Sequence, residues 1–106
     1  MTDFVLLYST IATDAEARSI ARVLLQEKLI ACATVIPSVT SLYEWKGDMK
    51  QEDEVLLLCK TAGHLFETAH KRITDLHSYE CPCILALPIA AGNEPYLTWL
   101  STQVNA

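Results

Sequence analysis

The sequence predicts an α+β fold, a ferredoxin-like βαββαβ sandwich with an extended hairpin between its second and third strands and a C-terminal helix. Three observations predict it. Strand-like apolar runs alternate with stretches of helical periodicity, two long runs of strand formers meet at a single turn in mid-chain, and the last segment opens on helix-start chemistry.

The first element is DFVLLYSTI, Asp3 to Ile11, an apolar run rich in strand formers that stops at Thr13-Asp14. Thr13 with Glu16 three positions later reads as a capping box, in which hydroxyl and carboxylate each satisfy a free backbone donor at a helix start. Ala17, Ile20, Ala21 and Leu24 then recur at helical spacing, so a first helix runs to about Lys28 with that stripe inward. From Ala31 to Trp45 the chain is rich in Val, Ile, Thr, Tyr and Trp; Lys46-Gly47-Asp48 supplies a turn, and a second run ends in EVLLLCKT. Pro37 cannot donate to a ladder, so a bend or bulge is expected there. Thr61 is positioned to cap a second helix with Phe66, Ala69, Ile73 and Leu76 inward, ending near His77. ILALPIA is a short strand. Asn93 or Glu94 caps the last helix, Pro95 lies in its first turn, and Tyr96, Leu97, Leu100 and Val104 face inward.

At 106 residues the chain is expected to form one domain, 1–106. A hydrophobic content of 51% is high for so small a body, and implies that part of the surface meets another subunit. The hairpin says the same: a strand of about 15 residues extends ~50 Å, whereas a compact chain of this size has a radius of gyration of ~13 Å. It must overhang its own globule. Leu42, Tyr43 and Trp45 on the distal part are therefore expected at a subunit interface in a closed ring, which removes bare strand edges.

A net charge of -5, with Lys and Arg scattered singly, argues against nucleic acid. The opening MTDFVLLYST shows no leader pattern and no apolar run approaches ~18 residues, so a cytoplasmic chain without membrane insertion is expected. Cys32, Cys59, Cys81 and Cys83 are then expected as reduced thiols.

The stretch LHSYECPC, Leu76 to Cys83, holds the candidate metal ligands His77, Cys81 and Cys83. Cys81 and Cys83 are two apart, so in an extended segment both project to one face, where two sulfurs can chelate a soft ion with His77 as a third donor. The alternative is that both are small hydrophobes at the edge of the core, as expected of Cys32 and Cys59. His77 at a helix C-terminus has its charged form favoured by the dipole. His64 and His70 read as helix-surface residues. Glu52 and Glu54, with Glu44 and Asp48 across the hairpin, read as charges that keep a strand edge soluble rather than as a cation cluster. Lys60 reads as a snorkelling strand-end lysine rather than a pocket amine of lowered pKa. No glycine-rich phosphate loop, G-x-S-x-G elbow or H-E-x-x-H is present.

ACATVIPSVTSLYEWKG, EDEVLLLCKT, HSYECP and LPIAAGNEPYLTWL, in this order, resemble the CutA divalent-cation tolerance proteins along nearly the whole chain. The resemblance implies a homotrimer with interlocking hairpins, similar in architecture to the PII signalling proteins, cytoplasmic in bacteria and linked to tolerance of copper and other divalent ions. It also implies a copper contact at His77. Ser9 and Leu76 stand where some members carry the accompanying Cys and His, and Cys81 and Cys83 are additions of this chain. The favoured reading is a non-enzymatic tolerance protein that needs no cofactor and contacts copper or another soft divalent ion weakly. The alternative is a PII-like sensor holding a small anionic molecule in an intersubunit cleft near Lys60 and Trp45.

Overall fold

A computed structural model describes residues 3–106. The chain runs β1 (Phe4–Ile11), α1 (Asp14–Gln26), β2 (Cys32–Trp45), β3 (Asp48–Ala62), a 3-10 turn (Gly63–Leu65), α2 (Phe66–Leu76), β4 (Leu85–Pro88) and α3 (Glu94–Gln103). The strands form one antiparallel sheet in the order β2-β3-β1-β4, so the hairpin's second strand lies inside the sheet while β2 and β4 are its edges.

β1 is half-buried with period two: Val5, Leu7, Ser9 and Ile11 face the helices, and Leu6, Tyr8 and Thr10 face the other way. Val55, Leu57 and Cys59 of β3 join the helix-facing set, and Ala17, Ile20, Ala21 and Leu24 of α1 with Ala69 and Ile73 of α2 close over it. Burying each large aliphatic side chain of this layer contributes roughly 1.5–3 kcal/mol. The opposite face of the sheet is barely covered. Leu85 is 53% and Leu87 42% exposed on β4, and Ile36 on β2 is also exposed. α3 meets β3 at the base of the hairpin, where Lys60 Nζ donates to Tyr96 Oη at 3.1 Å.

Two local expectations need correction. Thr61 does not cap α2: it is the penultimate residue of β3, and its buried hydroxyl donates to the Leu29 carbonyl at 2.7 Å. Continuing the apolar ladder satisfies more backbone than stopping to cap would, and α2 starts from the 3-10 turn without a side-chain cap. The capping box at α1 is half formed. Thr13 Oγ1 accepts from Glu16 N at 3.1 Å, but the Glu16 carboxylate takes Ser78 N at 2.9 Å and Ser78 Oγ at 2.8 Å instead. It fastens the start of α1 to the segment after α2.

The expected bend is a bulge. Ile36 pairs with Leu56 and Val39 with Glu54, so Pro37 and Ser38 together oppose Val55 alone, with Ser38 at φ 61°. The extra residue shifts the alternation of β2 by one. Before the bulge Thr34 and Ile36 lie on the uncovered face; after it Val39, Ser41, Tyr43 and Trp45 do, opposite Glu54, Glu52, Lys50 and Asp48. Lys46 (φ 51°) and Gly47 (φ 85°) form the two-residue turn at the tip. The arm gives the chain principal extents of 45 × 26 × 23 Å, and at its end Leu42 is 70% and Met49 77% exposed.

Candidate functional site

On the uncovered face, where the arm leaves the sheet, the 78–83 segment crosses back and encloses a groove of about 630 Å³. Its floor comes from β1 and β3, one wall from β2 beyond the bulge, and the other from the segment that joins α2 to β4. Two phenol–carboxylate pairs define it: Tyr79 Oη donates to Glu54 Oε2 at 2.6 Å and Tyr43 Oη to Glu52 Oε1 at 2.7 Å. Burial and the Glu54 hydrogen bond push the Tyr79 phenol well above its ordinary range, and the hydrogen bond to Glu52 pushes Tyr43 up to about 12. Lys46 Nζ lies 3.5 Å from Glu80 Oε2, an exposed ion pair that joins the hairpin tip to the far wall.

His77 forms the hinge of that far wall. It is the C-cap of α2, its backbone N–H bonds to the Ile73 carbonyl at 2.9 Å, and its side chain is wholly buried. Nδ1 accepts from the Tyr79 backbone N–H at 3.1 Å, so it holds a lone pair, and Nε2 donates to the Thr10 carbonyl at 3.0 Å. Glu16 Oε2 lies 3.9 Å from the same Nδ1. The ring also packs on Tyr79, with centroids 4.7 Å apart. His77 thereby ties the end of α2 to β1 and aims Tyr79 at Glu54.

Cys81 and Cys83 lie on the groove wall in the irregular segment before β4, outside the strand. Cys81 is exposed and Cys83 half-buried. Burial, followed by the Glu54 charge, pushes the Cys83 thiol up, against a backbone hydrogen bond from Thr10. Among the described residues no group of three or more His, Cys, Asp or Glu side chains converges as a metal site. Both nitrogens of His77 are already bound, so it can offer a lone pair to an ion only by giving up the Tyr79 N–H.

The CutA1 divalent ion tolerance protein family profile matches residues 5–103. The chain belongs to this family. It is 45% identical over 91 residues to the divalent-cation tolerance protein CutA of Thermus thermophilus, covering 86% of this chain and 88% of that one. The solved Thermus thermophilus structure superposes with a TM-score of 0.93 at 40% identity, over 96% of this chain and 99% of that chain. A structure described as the periplasmic divalent cation tolerance protein CutA from Archaeoglobus fulgidus gives 0.93 at 32% identity, over 96% and 99%. A Xenopus laevis CutA homolog is 43% identical over 97 residues, but this chain spans only 64% of its length. The family carries the name of a tolerance protein for divalent cations, and the sheet, helices and long hairpin expected from the sequence are those of its solved structures.

The remaining candidates separate by position. Glu52 and Glu54 lie beyond the last β1 pair, Ile11 with Val55, where β3 is bonded to β2 alone; Glu52 is half-buried there, while Glu54 is 5% exposed and faces the groove. Their alternation with Leu56 and Leu58 is the sequence signal that places them on the same face. Glu44 and Asp48 sit at the exposed tip. Lys60 lies at the hairpin's base, with its pKa held above the usual value by Tyr96, so it is not a neutral amine. It pairs with Cys32 whereas Trp45 pairs with Asp48, which puts Lys60 and Trp45 at opposite ends of the hairpin. A ligand touching both needs two subunits. Cys59 is buried and its thiol is pushed up to about 12, which fits core packing, while Cys32 is half-buried. His64 and His70 are exposed, as expected. Tyr8 and Thr10 of the groove floor were not singled out, since nothing in a half-buried strand marks which uncovered face a later segment will reach.

Proposed function

We propose that the chain, as one CutA-like domain, acts as a homotrimeric, non-enzymatic divalent-cation tolerance protein of the cytoplasm that contacts copper or another soft ion weakly. The observation that carries the metal part is the lip at Cys81 and Cys83, an exposed and a half-buried thiol two residues apart, on the segment that follows His77, whose Nδ1 lone pair is in use. Sulfur pairs suit soft ions, but an unassembled third donor and a thiol that resists ionisation both weaken the grip. His77 serves as third donor only after the Tyr79 N–H is released. Weak, exchangeable contact follows.

Assembly is supported by the arm and the uncovered sheet face, which leave Leu42, Tyr43, Trp45, Leu85 and Leu87 in water in an isolated chain. Two unpaired sheet edges, β2 and β4, permit head-to-tail closure of a ring, and three copies is the number the resemblance implies. Raised pKa values at Tyr43, Tyr79 and Cys83 disfavour these three groups as nucleophiles, which supports a non-enzymatic role. An exposed free thiol at Cys81 favours a reducing compartment. The PII-like alternative retains a ligand in a cleft, but the carboxylates of this groove repel an anion near Trp45.

Calorimetric titration of the reduced protein with Cu(I), Cu(II) and Zn(II) tests the metal reading, repeated on Cys81→Ser/Cys83→Ser and on His77→Ala. The expected result is binding that the double serine variant loses and the alanine variant only weakens. If no ion binds tighter than about 100 µM, the metal role has no physical basis.

A further inference from the structure

The Glu16 carboxylate is diverted from the place its position suggests. It stands three residues after Thr13, the N-cap of α1, where a glutamate ordinarily turns back to the cap's own N–H. Instead Oε2 accepts from Ser78 N at 2.9 Å and Oε1 from Ser78 Oγ at 2.8 Å, and Oε2 lies 3.9 Å from His77 Nδ1. Both bonds end on a carboxylate, an acceptor of the stronger class.

The helix that carries Glu16 is pinned to the core by Ala17, Ile20, Ala21 and Leu24. The segment it holds has no such support. Residues 78–83 form neither helix nor strand, so side-chain contacts place them. The contact after the Glu16 pair is the Tyr79 N–H on His77 Nδ1 at 3.1 Å, and His77 is itself wholly buried and fixed to the Thr10 carbonyl at 3.0 Å. Every partner in this set belongs to the chain itself, so the contacts are those of the folded subunit. The Tyr79 N–H lies on the peptide that follows Ser78. Holding Ser78 by both its N–H and its hydroxyl leaves that peptide little room to turn away from the imidazole.

We propose that Glu16 is a positioning residue: it latches the 78–83 segment to α1 and thereby keeps the His77 lone pair on the Tyr79 N–H, away from an ion at Cys81 and Cys83. The withholding part rests on the soft-ion reading above. With the latch closed the lip offers two sulfurs alone. With it open the imidazole joins them, and Zn(II), which takes nitrogen as well as sulfur, gains most. Glu16 thus sets how weakly the protein holds its ion, by fixing the surroundings of a donor rather than by touching the ion.

Reach separates this role from a plain charge effect. Asp at position 16 keeps a negative charge at the helix N-terminus, where the dipole favours it, but is one methylene short of Ser78. Gln keeps the reach without the charge: its carbonyl oxygen accepts from Ser78 N and its amide donates to Ser78 Oγ.

The test measures amide hydrogen exchange in the assembled, reduced, full-length protein in chelator, for wild type, Glu16→Asp, Glu16→Ala and Glu16→Gln, and then titrates each with Zn(II) without chelator. The expected result is exchange about tenfold or more faster at Ser78 and Tyr79 in the Asp and Ala variants, a smaller rise in the Gln variant, and an unchanged rate at Leu24 inside α1. Zn(II) is then expected to bind Glu16→Asp about tenfold tighter than wild type and to shift the His77 ring nitrogen resonances in that variant. An Asp variant that exchanges like wild type overturns the latch, as does a Leu24 amide that accelerates in step with Ser78. Zn(II) affinity in Glu16→Asp no tighter than in wild type overturns the withholding of His77. If no variant binds Zn(II) tighter than about 100 µM, the soft-ion reading and the withholding role fall together, while the exchange rates still decide the latch.

Discussion

His77→Ala separates a structural histidine from a metal ligand. The wild-type ring is wholly buried and both nitrogens are bonded, Nδ1 to the Tyr79 N–H at 3.1 Å and Nε2 to the Thr10 carbonyl at 3.0 Å. Truncation strands that donor and that acceptor, at about 1 kcal/mol or more each, and the lost ring packing brings the sum to roughly 3–4 kcal/mol. That is a large share of the 5–15 kcal/mol typical of a folded domain. With an m-value of about 1.5–2 kcal/mol/M, the urea midpoint falls by about 2 M in chelator at matched protein concentration. A ligand with no structural duty would leave the metal-free protein unchanged. A loss below about 1 kcal/mol without metal, or one that appears only when metal is added, refutes the reasoning.

Other outcomes follow from the same geometry. Alkylation of the native reduced protein by iodoacetamide is expected to modify Cys81 first and Cys59 last, as peptide mass mapping would show, because Cys81 is exposed and the buried Cys59 thiol is pushed up to about 12. Tyr43, held at about 12 against an ordinary value near 10, keeps its proton in the fold after the unfolded chain has lost it. Its contribution is therefore complete below pH 10 and declines as pH rises from 10 to 12. Urea midpoints measured across that window should fall less steeply for Tyr43→Phe than for wild type, and equal slopes would contradict the hydrogen bond to Glu52. Deleting Ser38 removes one residue of the bulge and turns Tyr43 and Trp45 away from Glu52. Trp45 emission should then shift, and a spectrum identical to wild type would show that the bulge does not set the aim.

The regular elements were legible because each is specified locally. The stripe Ala17, Ile20, Ala21 and Leu24 is the buried face of α1, Pro37 marks the bulge, and the Lys46-Gly47 turn falls between the arm's strands. Thr61 misled because a cap and a strand end look alike in sequence, and the difference lies in the Leu29 carbonyl, thirty-two residues away. The groove was only partly legible. His77, Cys81 and Cys83 stood out as a cluster of chemistry-bearing residues, but that Tyr79 would bond Glu54, that Glu16 would hold Ser78 and that Glu54 would be buried depends on contacts between distant segments. Local spacing carries no record of such contacts.

An arm and a sheet face as apolar and exposed as these call for cover by sister chains. Sedimentation equilibrium at micromolar concentration tests it most directly. A single species of three times the 11.8 kDa chain is the expected result. A stable particle of one chain mass, with Trp45 fully open to an aqueous quencher, would contradict the account.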